Sequence, residues 1–356
     1  MPSTTGHSKL SDISAAPVLD RLLRPLHDLR VSLTDRCNFR CRYCMPAELY
    51  TDERRFTPSA ELLSGGEIER VVTIAARDLG VRKLRLTGGE PLLRPDLEAL
   101  VARLSRLQTL EEITLTTNGY LLAERARALR DAGLTRITIS LDSLDPDEFA
   151  RMSGGISGLP RVLEGIRAAA SAGFEAIKIN CVVVRGDNDG AILALAERFR
   201  GTPHIVRFIE YMDVGTQNDW SEQRVVSARE IIARIDARWP LTAAAPNYPG
   251  EVARRYRYAD GGGEIGVIAS VSQPFCGDCQ RARLSADGRF LTCLFAADGV
   301  ALKPLLRGDA SDEELRALLT NTWSARADRY SQARHEHSQR DQRRPRRRLE
   351  MYQVGG

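Results

Sequence analysis

The chain has 356 residues, of which 43% are hydrophobic and 28% charged, and its formal net charge is +4 at pH 7. This balance is typical of a globular protein with a sizeable core. No run of about 18 apolar residues is present, and the N-terminal segment lacks the apolar core of a signal peptide. These features argue against a membrane-spanning or secreted protein, and we expect a cytoplasmic location.

From residue 28 onward, short β-rich runs alternate with longer stretches of helical periodicity. This alternation is typical of βα units that build a parallel sheet. The six predicted strands are Asp28–Thr34, Val81–Thr87, Glu111–Thr117, Leu134–Leu141, Ala176–Val184 and Ile205–Met212. The helices predicted between them include Glu67–Leu79, Leu122–Asp131, Arg161–Ala172 and Ile192–Phe199. Three of these helices run into Gly80, Gly133 and Gly173, where a left-handed residue would end them.

Six βα units are too few to close an eight-stranded barrel, so we predict an α/β fold with a partial (β/α)6 TIM-like barrel. Further on the pattern becomes irregular and gives short strands at Glu264–Ser272, Arg281–Ser285 and Phe290–Leu294, which predicts a C-terminal α+β domain. The predicted regions are an N-terminal extension (1–27), the barrel (28–213), the C-terminal domain (214–325) and a basic tail ending in Gly-Gly (326–356).

Six of the seven cysteines fall into two groups, and such spacing favours metal ligands over disulfides in a large chain without a secretion signal. The first group, Cys37, Cys41 and Cys44, directly follows the first predicted strand. Three thiolates on one loop can hold three irons of a four-iron cluster and leave the fourth iron open. A three-cysteine zinc loop is the alternative. The seventh cysteine, Cys181, lies in an apolar run and is predicted to be a core residue.

The second group, Cys276, Cys279 and Cys293, again offers three thiolates without an obvious fourth ligand. A second open cluster is one interpretation. Structural zinc is the other, since Cys-x2-Cys is common in zinc sites and a fourth ligand could lie elsewhere in the sequence. We therefore predict that the C-terminal domain carries a metal site that compensates for a small core.

The basic segment 326–348 contains nine arginines and three acidic residues. Clustered arginines neutralise phosphates, so nucleic-acid binding is one interpretation. A solvated segment is the other, and we favour it because no aromatic or helical pattern accompanies the charge.

The Cys-x3-Cys-x2-Cys loop, with Tyr43 before its third cysteine and Gly88-Gly89-Glu90-Pro91 after the second strand, resembles the radical S-adenosylmethionine (SAM) superfamily. The C-terminal Cys-x2-Cys-x13-Cys spacing is similar to that of the GTP 3′,8-cyclases of molybdenum cofactor biosynthesis. This resemblance extends from about Leu29 to Gly356.

The resemblance implies a lyase that uses two 4Fe-4S clusters and SAM to convert GTP into 3′,8-cyclo-7,8-dihydro-GTP. The first group would hold the cluster that cleaves SAM, and the second group would hold a cluster whose open iron binds guanine. No side chain is implied as a catalytic residue, since the cofactor carries the radical chemistry. The implied partners are GTP, a reducing electron donor and the cyclic pyranopterin monophosphate synthase that receives the product. We expect a monomer or homodimer without membrane or nucleic-acid partners.

The resemblance also assigns residues to each ligand. The positions implied to bind SAM are Tyr43, Gly89, Ser140 and Met212. The positions implied to bind GTP are Arg30, Arg85, Thr116, Lys178, Arg207, Arg281, Ala282 and Arg283. The terminal Gly355 and Gly356 are implied to reach into the active site, since residues without side chains can thread a narrow channel.

Two other functions stay open at this point. A radical SAM enzyme that modifies a peptide would share the first cysteine group, although the phosphate-directed arginines argue against it. A zinc-stabilised nucleic-acid binder would instead use the basic segment. Iron and sulfide content separates this binder from both enzymes.

Overall fold

The computed structural model describes residues 17–48, 50, 56–334 and 348–355. The alternating pattern of the first half of the chain folds into parallel strands with helices between them. These strands are β1 (Asp28–Ser32), β2 (Lys83–Thr87), β3 (Glu112–Thr117), β4 (Arg136–Ser140), β5 (Lys178–Val183) and β6 (Ile205–Glu210). Each pairs in parallel with the next, in the order of the chain. The predicted partial barrel is thereby confirmed.

The helices of this half begin and end at sequence signals of known physical cause. They are α1 (Gly65–Asp78), α2 (Leu97–Leu104), α3 (Leu122–Asp131), α4 (Pro146–Met152), α5 (Leu159–Ser171) and α6 (Ala191–Phe199). A capping box of Ser64 and Glu67 begins α1. Gly80, Gly133 and Gly173 have φ values of +91°, +103° and +90°, which confirms the predicted left-handed residues at the ends of α1, α3 and α5.

The second half of the chain extends the same sheet at both edges. Its strands are β7 (Leu241–Ala244), β8 (Arg254–Tyr258), β9 (Glu264–Ile268), β10 (Arg281–Leu284), β11 (Arg289–Leu291) and β12 (Val300–Ala301). The helices are α7 (Ala228–Asp236), α8 (Lys303–Arg307), α9 (Asp312–Ser324) and α10 (Met351–Val354). Because β10 pairs in parallel with β1 and β9 with β6, the strands β1 to β12 of the described residues form one sheet. The domain boundary at residue 213 stays a prediction.

Successive side chains along each strand point alternately into the hydrophobic core and to the opposite face of the sheet. In β1, Leu29 and Val31 are fully buried, whereas Arg30 between them faces the opposite side. Cys181 is also fully buried among apolar residues, as predicted. No helix in the described part of the chain combines the length and apolar character needed to cross a bilayer.

Candidate active site

The first triad, Cys37, Cys41 and Cys44, lies on the loop after β1. The amides of Cys44 and Met45 donate to the carbonyl oxygen of Cys41, at 2.9 and 2.8 Å. Asn118, directly after β3, places its Nδ2 3.9 Å from the Cys37 Sγ. The loop is therefore folded around its three thiols, all of which are partly buried.

Burial raises the pKa of each thiol of this triad, that of Cys37 to about 12. The other thiols of the triad contribute to the shifts of Cys41 and Cys44, so the sulfur atoms lie within electrostatic range of one another. A metal centre would reverse this preference for the protonated form, since the thiolate is the form that binds metal.

The Gly-Gly-Glu-Pro segment after β2 packs directly against the loop of the first triad. The amide of Gly89 donates to the Thr34 carbonyl oxygen at 2.7 Å, and that of Glu90 donates to the Arg36 carbonyl oxygen at 2.8 Å. A Cβ atom at Gly89 would overlap the Arg36 carbonyl group. Glycine is therefore required here for close approach of two backbones, whatever ligand the segment binds.

Two buried carboxylates hold the surroundings of the first triad. Glu90 accepts hydrogen bonds from the Thr117 hydroxyl at 2.7 Å and the Asn118 amide at 2.8 Å, and burial raises its pKa to about 7. Asp142 accepts a hydrogen bond from the Tyr43 hydroxyl at 2.8 Å, and burial raises its pKa to about 6. Tyr43 is thus held in place by a residue that the sequence did not single out.

The second triad, Cys276, Cys279 and Cys293, lies in the wall of an interior cavity. Cys276 begins a single 3-10 turn between β9 and β10, Cys279 directly follows that turn, and Cys293 follows β11. Although burial acts in the opposite direction, the charges of Arg281 and Arg326 lower the pKa of Cys279 to about 6. The Arg281 Nη2 lies 3.4 Å from the Cys279 Sγ.

The two triads fit open iron–sulfur clusters. In the described residues, no three His, Cys, Asp or Glu side chains converge closely enough to bind one metal ion. Each triad offers three thiols to a larger group whose iron atoms are bound separately.

The cavity brings most of the predicted GTP positions together with the second triad. Besides the three cysteines, its lining includes Arg30, Arg85, Thr116, Arg207, Met212, Arg281 and Arg283. Met212, predicted to bind SAM, therefore lies in the same cavity as the predicted GTP positions. Arg85 Nη1 lies 3.1 Å from the Thr116 hydroxyl, and Arg207 Nε lies 2.9 Å from the Asn180 side-chain oxygen.

The cationic side chains of the cavity are buried beside one another. Burial and then neighbouring arginines lower the pKa of Arg207 to about 9 and that of Arg283 to about 10, and the pKa of Arg30 falls for the same reasons. Such shifts mean that the positive charges repel and lack full compensation within the protein. An anionic ligand with several negative charges would compensate for these positive charges.

The predicted GTP positions Ala282 and Lys178 lie outside this lining, and so do Tyr43, Gly89 and Ser140 of the predicted SAM positions. Ala282 lies between two cavity arginines but is fully buried on the other face of β10, where it packs in the core. Lys178, at the start of β5, lies near Arg207, whose charge contributes to lowering its pKa. Ser140 ends β4 and is half-buried. Their ligand roles stay predictions.

The C-terminal segment inserts between the loop of the first triad and the cavity. Tyr352 packs edge-on against Tyr50, with ring centroids 5.2 Å apart. Arg283 Nη1 donates to the carbonyl oxygens of Val354, at 2.9 Å, and Gly355. Gly355, with a φ of +74°, lies against Ser32 and Thr87. Gly356 lies outside the described residues.

Sequence reasoning missed several residues of the cavity lining, most of them at the amino-terminal ends of strands. Asp28, Lys83, Glu112, Arg136 and Tyr248 also line the cavity. Period-two alternation is the signal that could have found them, because Asp28 and Lys83 precede the predicted Arg30 and Arg85 by two residues on the same strands. Tyr248 comes from the β7–β8 connection, which carries no such signal.

Comparison with known families agrees with this geometry. Residues 31–199 match the radical SAM superfamily, and residues 204–332 match the family described as Molybdenum Cofactor Synthesis C. The partial barrel, with a three-cysteine loop after its first strand, defines the chain as a radical SAM protein.

Individual relatives narrow the assignment. The GTP 3′,8-cyclase of Xanthomonas campestris pv. campestris (strain B100) is 52% identical over 347 residues, covering 98% of this chain and 100% of the relative. The GTP 3′,8-cyclase of Acidothermus cellulolyticus is 55% identical over 322 residues, covering 89% of each chain. The chain therefore belongs to the GTP 3′,8-cyclase family, as the sequence motifs predicted. The solved structure "Native anSMEcpe with bound AdoMet" matches at 18% identity with a TM-score of 0.45, covering 60% of each chain.

Proposed function

We propose that this chain is the lyase that converts GTP into 3′,8-cyclo-7,8-dihydro-GTP, the first step of molybdenum cofactor biosynthesis. The observation that carries the proposal is the cavity itself, because buried arginines and the second cysteine triad both line it. A triphosphate supplies the negative charge that these arginines lack, and a cluster with an open iron supplies a ligand position for the base.

The arginines provide both charge and orientation. Arg30, Arg85, Arg207 and Arg283 lie on β1, β2, β6 and β10, so their guanidinium groups come from four strands of one rigid sheet. Planar guanidinium groups bind phosphate oxygens in bidentate fashion. Fixed donors of this kind would hold the nucleotide in one orientation without reorganisation of the protein.

Around the first triad, the protein supplies anchoring and shielding. When bound there, a reduced 4Fe-4S cluster supplies the electron that cleaves SAM and thereby provides the radical for hydrogen abstraction from the ribose. Tyr43, held by Asp142, and the backbone around Gly89 form the walls beside this loop. Tyr352 of the C-terminal segment packs with Met45 and Tyr50 against Cys37 and Cys44, which would exclude water from reactive species.

We further propose the finer features of the pathway. A reducing donor supplies the electron, and the product passes to the cyclic pyranopterin monophosphate synthase. The chain acts as a monomer or homodimer in the cytoplasm. A peptide substrate finds less support in the cavity, because arginine and lysine side chains outnumber carboxylates in its lining.

The direct test uses anaerobically reconstituted, reduced protein with SAM and GTP. We expect 5′-deoxyadenosine and the cyclised nucleotide to form together, with little of either when GTP is omitted. Arg85→Gln should lose most of the product, whereas Arg254→Gln, at an exposed position of β8, should retain it. Deoxyadenosine that forms equally well without GTP, or protein that binds zinc and no iron, would contradict the proposal.

A further inference from the structure

Residues 17–27, which precede the barrel and have no assigned role, are bound to the part of the chain that carries the second triad. The amides of His27 and Asp28 donate to the carbonyl oxygen of Gln280, and the amide of Arg21 donates to that of Arg326. This segment therefore runs along the loop of the second triad and along the end of α9.

Arg24 is the central residue of this contact, and its side chain is almost fully buried. Its Nη1 donates to the carbonyl oxygen of Cys276 at 2.6 Å and to that of Asp328 at 2.9 Å. Its Nε donates to the Asp20 carboxylate at 2.6 Å. One guanidinium group thus connects the N-terminal segment, a ligand residue of the second triad and the chain beyond α9.

Arg326 makes the equivalent contact with another ligand residue. Its Nη1 donates to the carbonyl oxygen of Cys279 at 2.7 Å and lies 3.4 Å from the same Asp20 carboxylate. Its guanidinium group stacks on Trp323, and the Trp323 indole donates to the Arg24 carbonyl oxygen at 3.2 Å. Asp20 therefore orients two arginines, each of which holds the backbone of a cysteine.

Each arginine also retains buried hydrogen-bonding capacity. Nη2 of Arg24 and Nε of Arg326 have no hydrogen-bond partner among the described residues, although the two arginines are only 3% and 4% exposed. A charged donor that is buried and unsatisfied is destabilising, and a functional site tolerates it when a ligand completes the site. Nε of Arg326 also lies 3.5 Å from the Asp328 carboxylate, too far for a hydrogen bond with good geometry. Three thiolates and a cluster would add further negative charge near these two cations.

We propose that Asp20, Arg24 and Arg326 form a positioning unit for the second iron–sulfur cluster. The unit fixes the carbonyl groups of Cys276 and Cys279, so that both thiols are presented together. It also places two guanidinium groups against the backbone of two ligand residues. These are positioning residues, and the proposal rests on the proposed function insofar as that function requires a second cluster.

The test measures the second cluster alone in the full-length chain. Replacing Cys37, Cys41 and Cys44 by Ala gives a parent protein in which reconstituted iron reports only the second triad, expected at about four irons per chain. In this parent, Arg24→Gln and Arg326→Gln should lose most of that iron. Arg24→Lys keeps the charge without the planar fork and should retain more iron, with a changed electron paramagnetic resonance spectrum. Arg21→Gln is the matched control, exposed in the same segment, and should leave iron and spectrum unchanged.

Thermal melting separates a positioning role from a role in folding only. If Arg24→Gln and Arg326→Gln bind iron as the control does, with the same spectrum, the proposal is overturned. It is also overturned if Arg24→Gln lowers Tm equally whether Cys276, Cys279 and Cys293 are present and reconstituted or replaced by Ala. A parent that binds no iron would overturn the proposed function and this inference together, whereas loss confined to the variants supports both.

Discussion

Lys178 lies where its charge is costly. Burial and then the charges of Arg207, Arg136 and Arg85 lower its pKa from the usual 10.5 to about 7. Near neutral pH, the side chain is therefore divided between its charged and neutral forms. A bound triphosphate would favour the charged form, because the attraction of the phosphates opposes the repulsion of the arginines.

GTP binding should therefore weaken as the pH rises above 7. Free protein progressively loses the Lys178 proton, and the apparent Kd should rise by up to about tenfold per pH unit, the limit for one linked proton. Calorimetric titration above about pH 7.5 isolates this effect, since phosphate groups have a second pKa near 6 and are already ionised. Lys178→Met should bind GTP more weakly and lose the pH dependence. If the apparent Kd of that variant depended on pH as strongly as that of the unmodified protein, the proton would belong to another group.

At the scale of elements, the C-terminal segment depends on Gly355. A Cβ atom there would overlap the Thr87 side chain and lie 2.8 Å from the Ser32 hydroxyl, and the φ of +74° disfavours any other residue. Gly355→Ala should expel the segment from its contact with Ser32 and Thr87 and strongly reduce product formation, while iron content stays the same. Limited proteolysis should then cleave the C-terminal segment sooner.

Gly186→Ala is the matched control for this change. Gly186 also has a positive φ, of +79°, but a Cβ atom there meets nothing within 4 Å. It therefore carries the backbone cost, roughly 1–2 kcal/mol, without the overlap. Equal effects of the two substitutions on product formation would show that insertion of the segment is unimportant.

The loop after β6 holds the same C-terminal region at a second point. The buried Asp213 carboxylate accepts a hydrogen bond from the Tyr330 hydroxyl at 2.6 Å and from Arg334 Nε at 3.0 Å, and lies 3.8 Å from Arg348. Asp213→Asn removes the charge from this contact and should lower the free energy of unfolding by about 1.5–3 kcal/mol. The exposed Asp219→Asn, which loses only a surface ion pair with Arg224, should change it by less than about 1 kcal/mol. Denaturant unfolding compares the two, and equal losses would rule out a special role for Asp213.

At the scale of the whole molecule, one sheet joins both cysteine triads. β10 carries Arg281 and Arg283 beside Arg30 of β1, with direct register between Arg30 and Arg283. The first triad follows β1 and the second flanks β10, so adjacent parallel strands connect the two metal sites. This arrangement explains how residues more than half the chain apart form one cavity.

The sequence predicted those parts of the fold that local patterns determine. β1 to β6 were found within a few residues, because buried parallel strands read as apolar runs between helices. Helices α2 and α4 were missed, as was the β7–β8 hairpin, whose strands expose Thr242 and Arg257 and lack a continuous apolar face. Local patterns cannot show which distant strands pair, so the placement of β9 and β10 at opposite edges of the barrel required the structure.

The candidate site was predictable to a similar extent. Motifs located both triads and the cavity arginines, but a motif does not give the direction of a side chain, as Ala282 shows. Residues that act through others, such as Asp142 and Arg24, have no sequence pattern of their own. Their roles follow from hydrogen bonds that only the folded chain brings together.

Two separate cysteine triads, each holding an open iron–sulfur cluster, are the basis of the proposed function. The most direct test is the iron and sulfide content of anaerobic protein in which each triad is replaced by Ala in turn. We predict that either replacement removes about half of the iron, because each triad holds one four-iron cluster. SAM cleavage should survive only when Cys37, Cys41 and Cys44 are present. Full iron content after loss of either triad, or a single zinc ion in place of iron, would contradict the account.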